Sequence, residues 1–163
     1  MAICRGHPRR EGLKVRPGRA KLIYNMQLPS KKAIIAFFIL IVAVHVAGLS
    51  YQWYHKLWWI DIVMHASGGF WVAMVAAYGY QLVAPQSHFS MPRWLYFSSL
   101  LGIAMIIGVV WEWGEFVSDA LFFPNRFVFR MQLGLTDTMG DLLADLVGAA
   151  AYLGGRIYTR HKA

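Results

Sequence analysis

A chain of 163 residues has room for one domain. With 58% hydrophobic and only 15% charged residues, and a mean hydropathy of +0.43, it is excluded from the ordinary soluble class. The net charge of +8 does not point to nucleic acid, because the basic residues are placed where membrane topology wants them.

Residues 1–31 are a basic tail, expected to be disordered and to lie near anionic lipid headgroups. "MAICRGHPRREGLKVRPGRAKLIYN" lacks the apolar run of a signal peptide. A start at Met26 reads equally well, since "MQLPSKKAIIAFF" makes a natural beginning. The single Cys4 excludes an internal disulfide.

Residues 32–163 are expected to form a four-helix transmembrane domain. A hydrocarbon core of ~30 Å takes about 20 apolar helical residues, and segments 33–50, 61–83, 94–118 and 137–158 come close. Lys31 and Lys32 anchor the first span. The loop "YQWYHKLWW" after it has the make-up of an interfacial aromatic belt. The second span ends before Pro85, in the turn "APQSHFSMPR". The third continues its helical pattern to Phe123, where Pro124 stops it. The loop "PNRFVFRMQLGL" leads into the fourth.

Thirteen Lys and Arg fall in the two tails and the second loop, against three (Lys56, Arg126, Arg130) in the first and third loops. The positive-inside rule then puts both the N and C termini in the cytoplasm. A start at Met26 leaves six against three and the same topology. The expected architecture is all-α: a multi-pass bundle of four transmembrane helices in the cytoplasmic (inner) membrane. Gly68–Gly69, Gly102, Gly108, Gly140, Gly148 and Gly154–Gly155 are expected to let helices approach closely. Gly68 and Gly69, close to His65, also suit the approach of a ligand.

Seven of the eight acids are Asp61, Glu112, Glu115, Asp119, Asp137, Asp141 and Asp145. Given the topology, all lie in the extracytoplasmic half. Residues four apart share a helix face, so Asp61 joins His65, while Asp137, Asp141 and Asp145 make one stripe. Glu112, Glu115 and Asp119 make another. A carboxylate at the bilayer centre costs about 2.5–3.5 kcal/mol even on a lenient scale, so the stripes are expected to face one another. Lys56, Arg126 and Arg130 are too few to balance seven acids. A divalent cation restores the balance, and oxygen-rich ligands suit magnesium, calcium or manganese. His65 in the set widens the choice to zinc or iron.

Plainer roles compete with this one. Asp61 and Asp137 suit the first turn of a helix, and Asp119 suits water or a pairing with Arg126 or Arg130. His45, alone on an apolar helix, fits a helix-to-helix hydrogen bond better than a ligand role. No HExxH motif, Cys/His zinc spacing, GxSxG elbow or di-iron ExxH pair occurs.

"DIVMHASGG", "WEWGEFVSD" and "LGLTDTMGDLLADLVGA", in this order, resemble small bacterial inner-membrane proteins of the YjdF type, a family of unknown function. More distantly the arrangement is similar to VanZ-like proteins, with an Asp-x-x-x-His opening, an acidic helix and a late Asp before Gly-Ala. The VanZ Glu-x-x-Gln pattern reads Glu112-x-x-Glu115 here. The resemblance covers about residues 33–158 and implies a site at Asp61, His65, Glu112, Glu115, Asp137, Asp141 and Asp145. It names no reaction.

These seven are the expected metal ligands, with His65, Glu112 and Glu115 as the catalytic candidates. The expected activity is metal-assisted hydrolysis, or binding, of an envelope or lipid-linked substrate, with the lipid bilayer as the partner and no nucleic acid. The rival readings are a proton- or ion-coupled transporter using the Asp145–Asp141–Asp137 stripe and a non-catalytic membrane partner. Oligomeric state is not legible.

Overall fold

Ser30 starts the first helix. Its extended backbone and its hydroxyl, which accepts a hydrogen bond from the Ala33 N–H at 3.0 Å, form an N-cap. In the computed structural model, which describes residues 29–83, 92–122 and 130–161, helix α1 therefore spans Lys31–Ser50. The expected tail 1–31, the turn at 84–91 and Arg126 lie almost wholly outside the described residues.

Gln52, with φ 58° in the left-handed region, turns the chain and admits a single helical turn, α2 (Trp53–Lys56). The aromatic loop thus carries a short helix. Tyr51, Trp58 and Trp59 stand on its exposed side, as an interfacial belt requires. Three long helices follow: α3 (Ile60–Val83), α4 (Arg93–Phe122) and α5 (Leu135–His161). The 30 residues of α4 reach about 45 Å at ~1.5 Å per residue, well beyond a ~30 Å hydrocarbon core. Gly134, at φ +126°, supplies the left-handed residue from which α5 starts.

The fold is all-helical. Three of its helices, α1, α3 and α4, are long and apolar enough to cross a membrane. Helix α5 has the length, at 27 residues, but its aspartates and Arg156 set it apart from those three.

Polarity is distributed inside out. Ile39, Ile106, Phe116, Leu143 and Val147 are exposed, whereas His65, Glu112, Glu115, Asp119, Asp141 and Asp145 are buried. A protein surrounded by water buries such groups at great cost. A protein surrounded by lipid gains by turning them inward.

The most extensive packing is between α3 and α5, with α4 lying against both. The close fit of α3 on α5 comes from two glycines. A β-carbon at position 69 would overlap the Asp145 carbonyl, and one at position 148 would overlap the Ala66 carbonyl. The crossing is reciprocal, small residue against backbone on both helices. Gly102, Gly140, Gly154 and Gly155 have open space beside them instead, so the packing expected there does not occur within the chain. Below the crossing, Ala73, Met74, Ala77, Tyr96, Leu100, Ala149, Tyr152 and Leu153 fill an apolar core.

Helix α1 is peripheral. It leans on α3 and α2, with no comparable packing on α4 or α5. Trp71 pins its first half, stacking on Phe38 at 4.9 Å and donating its indole N–H to the Ile34 carbonyl at 3.0 Å. Tyr54 of α2 pins its far end. It shares a 2.7 Å hydrogen bond with His45 and rests on Gly48, where a β-carbon would come within 2.8 Å of the ring.

Candidate functional site

The N-terminal turns of α3 and α5, the C-terminal turns of α4 and the end of α1 gather at one end of the bundle, around His65. Its imidazole is buried and faces three carboxylates on three helices. Nε2 lies 3.8 Å from Asp61 Oδ1 and 3.7 Å from Glu112 Oε1, and Nδ1 lies 3.4 Å from Asp145 Oδ2. The Asp61–His65 pair is the i, i+4 relation legible in the sequence. The other two form only because the helices pack as they do.

Two overlapping groups share His65. In one, Asp61, His65 and Asp141 each place a ligand atom within 4.8 Å of the others; in the second, His65, Glu112 and Glu115 do the same. Asp145 stands at the opposite nitrogen of the imidazole, its carboxylate against Gly108 and 3.8 Å from where a β-carbon of Gly68 would lie. Glycine at 69 and 108 thus makes the space that Asp145 occupies.

Hydrogen bonds hold several of these acids in place. Glu115 Oε1 accepts the indole N–H of Trp111 at 2.9 Å. Glu112 Oε2 accepts the Gln132 amide at 2.8 Å. Its other oxygen, Oε1, is buried, has no hydrogen-bond partner among the described residues and faces His65. A buried oxygen with nothing to accept from is costly, and a cation would satisfy it.

Asp119 and Asp137 sit differently. Asp119 is buried rather than hydrated, and its two oxygens accept the backbone N–H groups of Met131 and Gln132 at 3.1 and 2.9 Å. It ties the chain entering α5 to the end of α4. Asp137 is half-buried, lies outside both groups, and accepts the Leu133 N–H at 3.1 Å, a first-turn role. His45 makes the hydrogen bond expected of it, to Tyr54 on the loop helix, and packs edge-on against Trp111.

Gln132, Trp111 and Tyr54 belong to the site and were not singled out in the sequence. Gln132 is the busiest: its amide donates to Glu112 and to Thr138, and its carbonyl accepts the Gly134 N–H. A loop residue shows no periodicity by which to find it. Tyr54 sits outside the spans, where burial first, then the charges of Asp61 and Glu115, push its hydroxyl above the ordinary tyrosine range. It therefore stays protonated at neutral pH.

Two cavities adjoin the cluster. A groove of about 290 Å³ runs between α1, α3 and α4, walled by apolar side chains and ending at Asp61, His65, Glu115 and Asp145. A chamber of about 240 Å³ lies toward the loops and includes Ser50, Gln52, His55 and Arg130. His45, Tyr54, Asp61 and Glu115 line both. Toward the other end of the bundle the buried core is apolar apart from tyrosines, of which the Tyr96 and Tyr152 hydroxyls have no hydrogen-bond partner among the described residues.

A family described as "Predicted membrane protein (DUF2238)" matches residues 19–161. An uncharacterized protein of Thermotoga maritima is 33% identical over 119 residues, covering 72% of this chain and 56% of that protein. The chain thus spans little more than half the length of that relative. No solved structure matches. With nearly the whole chain matched, from the end of the basic tail to the last turn of α5, this protein is a member of the DUF2238 family of predicted membrane proteins.

Proposed function

We propose that the cluster around His65 is a divalent-metal site within a four-span bundle of the cytoplasmic membrane, and that it serves metal-assisted hydrolysis of an envelope or lipid-linked substrate. The observation that carries this is Glu112 Oε1: a buried carboxylate oxygen with no hydrogen-bond partner among the described residues, 3.7 Å from an imidazole nitrogen, among carboxylates from three helices. Asp61, His65, Glu112, Glu115 and Asp141 are the ligand set, and Asp145 orients His65 from behind. Asp137, also an expected ligand, is left out of this set because it lies outside both groups and has Oδ2 on the Leu133 N–H.

A mixed oxygen and imidazole set suits magnesium, manganese, calcium or zinc. Such an ion lowers the pKa of a water and polarises the bond to be cleaved. The chain's own part is to hold and move protons. Glu115, facing both cavities, is placed to accept a proton from an incoming water and return it to the leaving group, while His65, with Nδ1 on Asp145, would hold the ion through Nε2.

Helix α5 is read as the fourth span. Its aspartates turn inward, and Leu135, Met139, Leu143 and Val147 form an exposed apolar stripe at i, i+4 intervals. With both termini cytoplasmic, the site opens on the extracytoplasmic side. The motif resemblance to YjdF-type and, more distantly, VanZ-like proteins agrees with this placement of the acids. Residues 32–163 are read as the membrane domain and residues 1–31 as a basic arm.

Elemental analysis of the purified full-length protein tests the reading. A near-stoichiometric divalent metal is expected in the wild type and in Asp137→Asn, and its loss in Glu112→Gln and Asp141→Asn. Metal-free wild-type protein, after purification without chelator and dialysis against each ion, overturns it.

A further inference from the structure

The two cavities differ in chemistry and meet at the acids. The groove is built from one face of each of three helices: Phe38, Ile41 and Val42 on α1, Trp71 and Val72 on α3, Ala104 and Ile107 on α4. It is open sideways, because α1 is pinned at its two ends and does not pack on α4 between them. Phe38, Val42 and Ile107 are 46%, 42% and 46% exposed, so the mouth of the groove lies at the lipid-facing surface of spanning helices. What stands beside such a mouth is an acyl chain.

The chamber is the reverse. Gln52, His55 and Arg130 bring amide, imidazole and guanidinium groups to it at the ends of the helices, where headgroups reside. Arg130 brings the permanent charge and planar donor fork that suit phosphate. An apolar slot that opens to the bilayer, joined through His45, Tyr54, Asp61 and Glu115 to a donor-lined chamber, has the division of a lipid molecule.

We propose that groove and chamber together form the binding site of a membrane lipid with a phosphate-bearing headgroup, which enters sideways between α1 and α4, leaves a chain in the groove and presents its phosphate to the acidic cluster. The proposal rests on the metal reading above, since a phosphate beside Asp61 and Glu115 needs a cation between them. The lipid is the substrate class for that site.

Photolabelling of the full-length protein in nanodiscs tests it, using phosphatidic acid with a diazirine at mid-chain and a diacylglycerol carrying the same chain. Labelling mapped by mass spectrometry is expected at Val42 and Ile107 about tenfold above the lipid-facing Ile39 and Ile106. It should disappear in Val42→Trp and Ile107→Trp and be weak with the diacylglycerol. Equal labelling of Val42 and Ile39 in the wild type overturns the groove, whether or not the variants fold. Equal labelling by the two probes overturns the phosphate headgroup. Metal content measured on the same samples separates the two readings: groove labelling in protein that takes up no metal defeats the metal centre and the phosphate's place beside it, and leaves the groove as a lipid-chain site. Metal-loaded protein without groove labelling does the converse.

Discussion

Gly69 lies so close to Asp145 that the aspartate's backbone carbonyl occupies the place a β-carbon at position 69 would take. The residue whose carboxylate contacts the His65 imidazole is thus also the residue on which α3 crosses α5. Helix packing and site geometry are a single arrangement at this point, and a disturbance of either reaches the other.

Gly69→Ala and Gly148→Ala should therefore each destabilise the bundle, by about 1–3 kcal/mol as expected of overpacking. Gly102→Ala, with open space around it, should be neutral or gain up to ~1 kcal/mol from helix propensity. Thermal unfolding in detergent, read by circular dichroism, checks the contrast. Equal effects at all three positions would refute a glycine-specific crossing.

Metal should stabilise the fold. At a hundredfold excess over its dissociation constant, a ligand that binds only the native state adds about 2.7 kcal/mol. The wild type should melt several degrees higher with metal than with chelator. On the metal-site proposal that gap should close in Glu112→Gln, because the amide loses the charge and keeps its one oxygen on the Gln132 donor rather than toward His65.

Asp119 and Gln132 act as a pair of fasteners, and their loss should read differently. Asp119→Ala removes the acceptor of two backbone N–H groups and should cost about 1–3 kcal/mol through loosening of the segment before α5. Gln132→Leu leaves Glu112 Oε2 without its donor. It should weaken metal affinity by roughly 10–100-fold, as loss of an outer-shell partner does, with the metal still bound at saturating concentration. Hydrogen exchange over residues 130–134 and metal titration distinguish the two.

Orientation can be read with thiol labelling. In right-side-out spheroplasts, the native Cys4 should resist a membrane-impermeant maleimide until the membrane is opened. With Cys4 replaced by Ser, Gln52→Cys should react at once. The reverse order would invert the topology and put the acidic cluster on the cytoplasmic side.

The acidic stripes could be seen in the sequence because a helix repeats every three to four residues, and Asp137, Asp141 and Asp145 or Glu112 and Glu115 declare a shared face. Convergence of those faces followed from the cost of charge in lipid. That reasoning stops at the helix surface. It cannot say that Gly69 and Gly148 make the crossing while Gly102 and Gly140 face open space, since all four fit the same rule. It separated the acids only in part, offering Asp137 a first-turn role but placing Asp119 in water or beside an arginine. Asp119 and Asp137 carry the same charge as Asp141, yet their oxygens hold backbone N–H groups, a distinction set by the course of the loop. Gln132 and Tyr54, on segments without a repeat, become visible only when three helices bring their partners to them.

Helix α1 contributes walls to the groove and no carboxylate to the cluster. Its attachments lie toward its ends: Trp71 on Ile34 and Phe38, Phe70 on Phe37, and Tyr54 and Trp111 on His45. The chemistry and the width of the slot are therefore separable properties. Substitutions at Ile41 or Val42 should alter the width of the groove without displacing the acids, which lie on α3, α4 and α5.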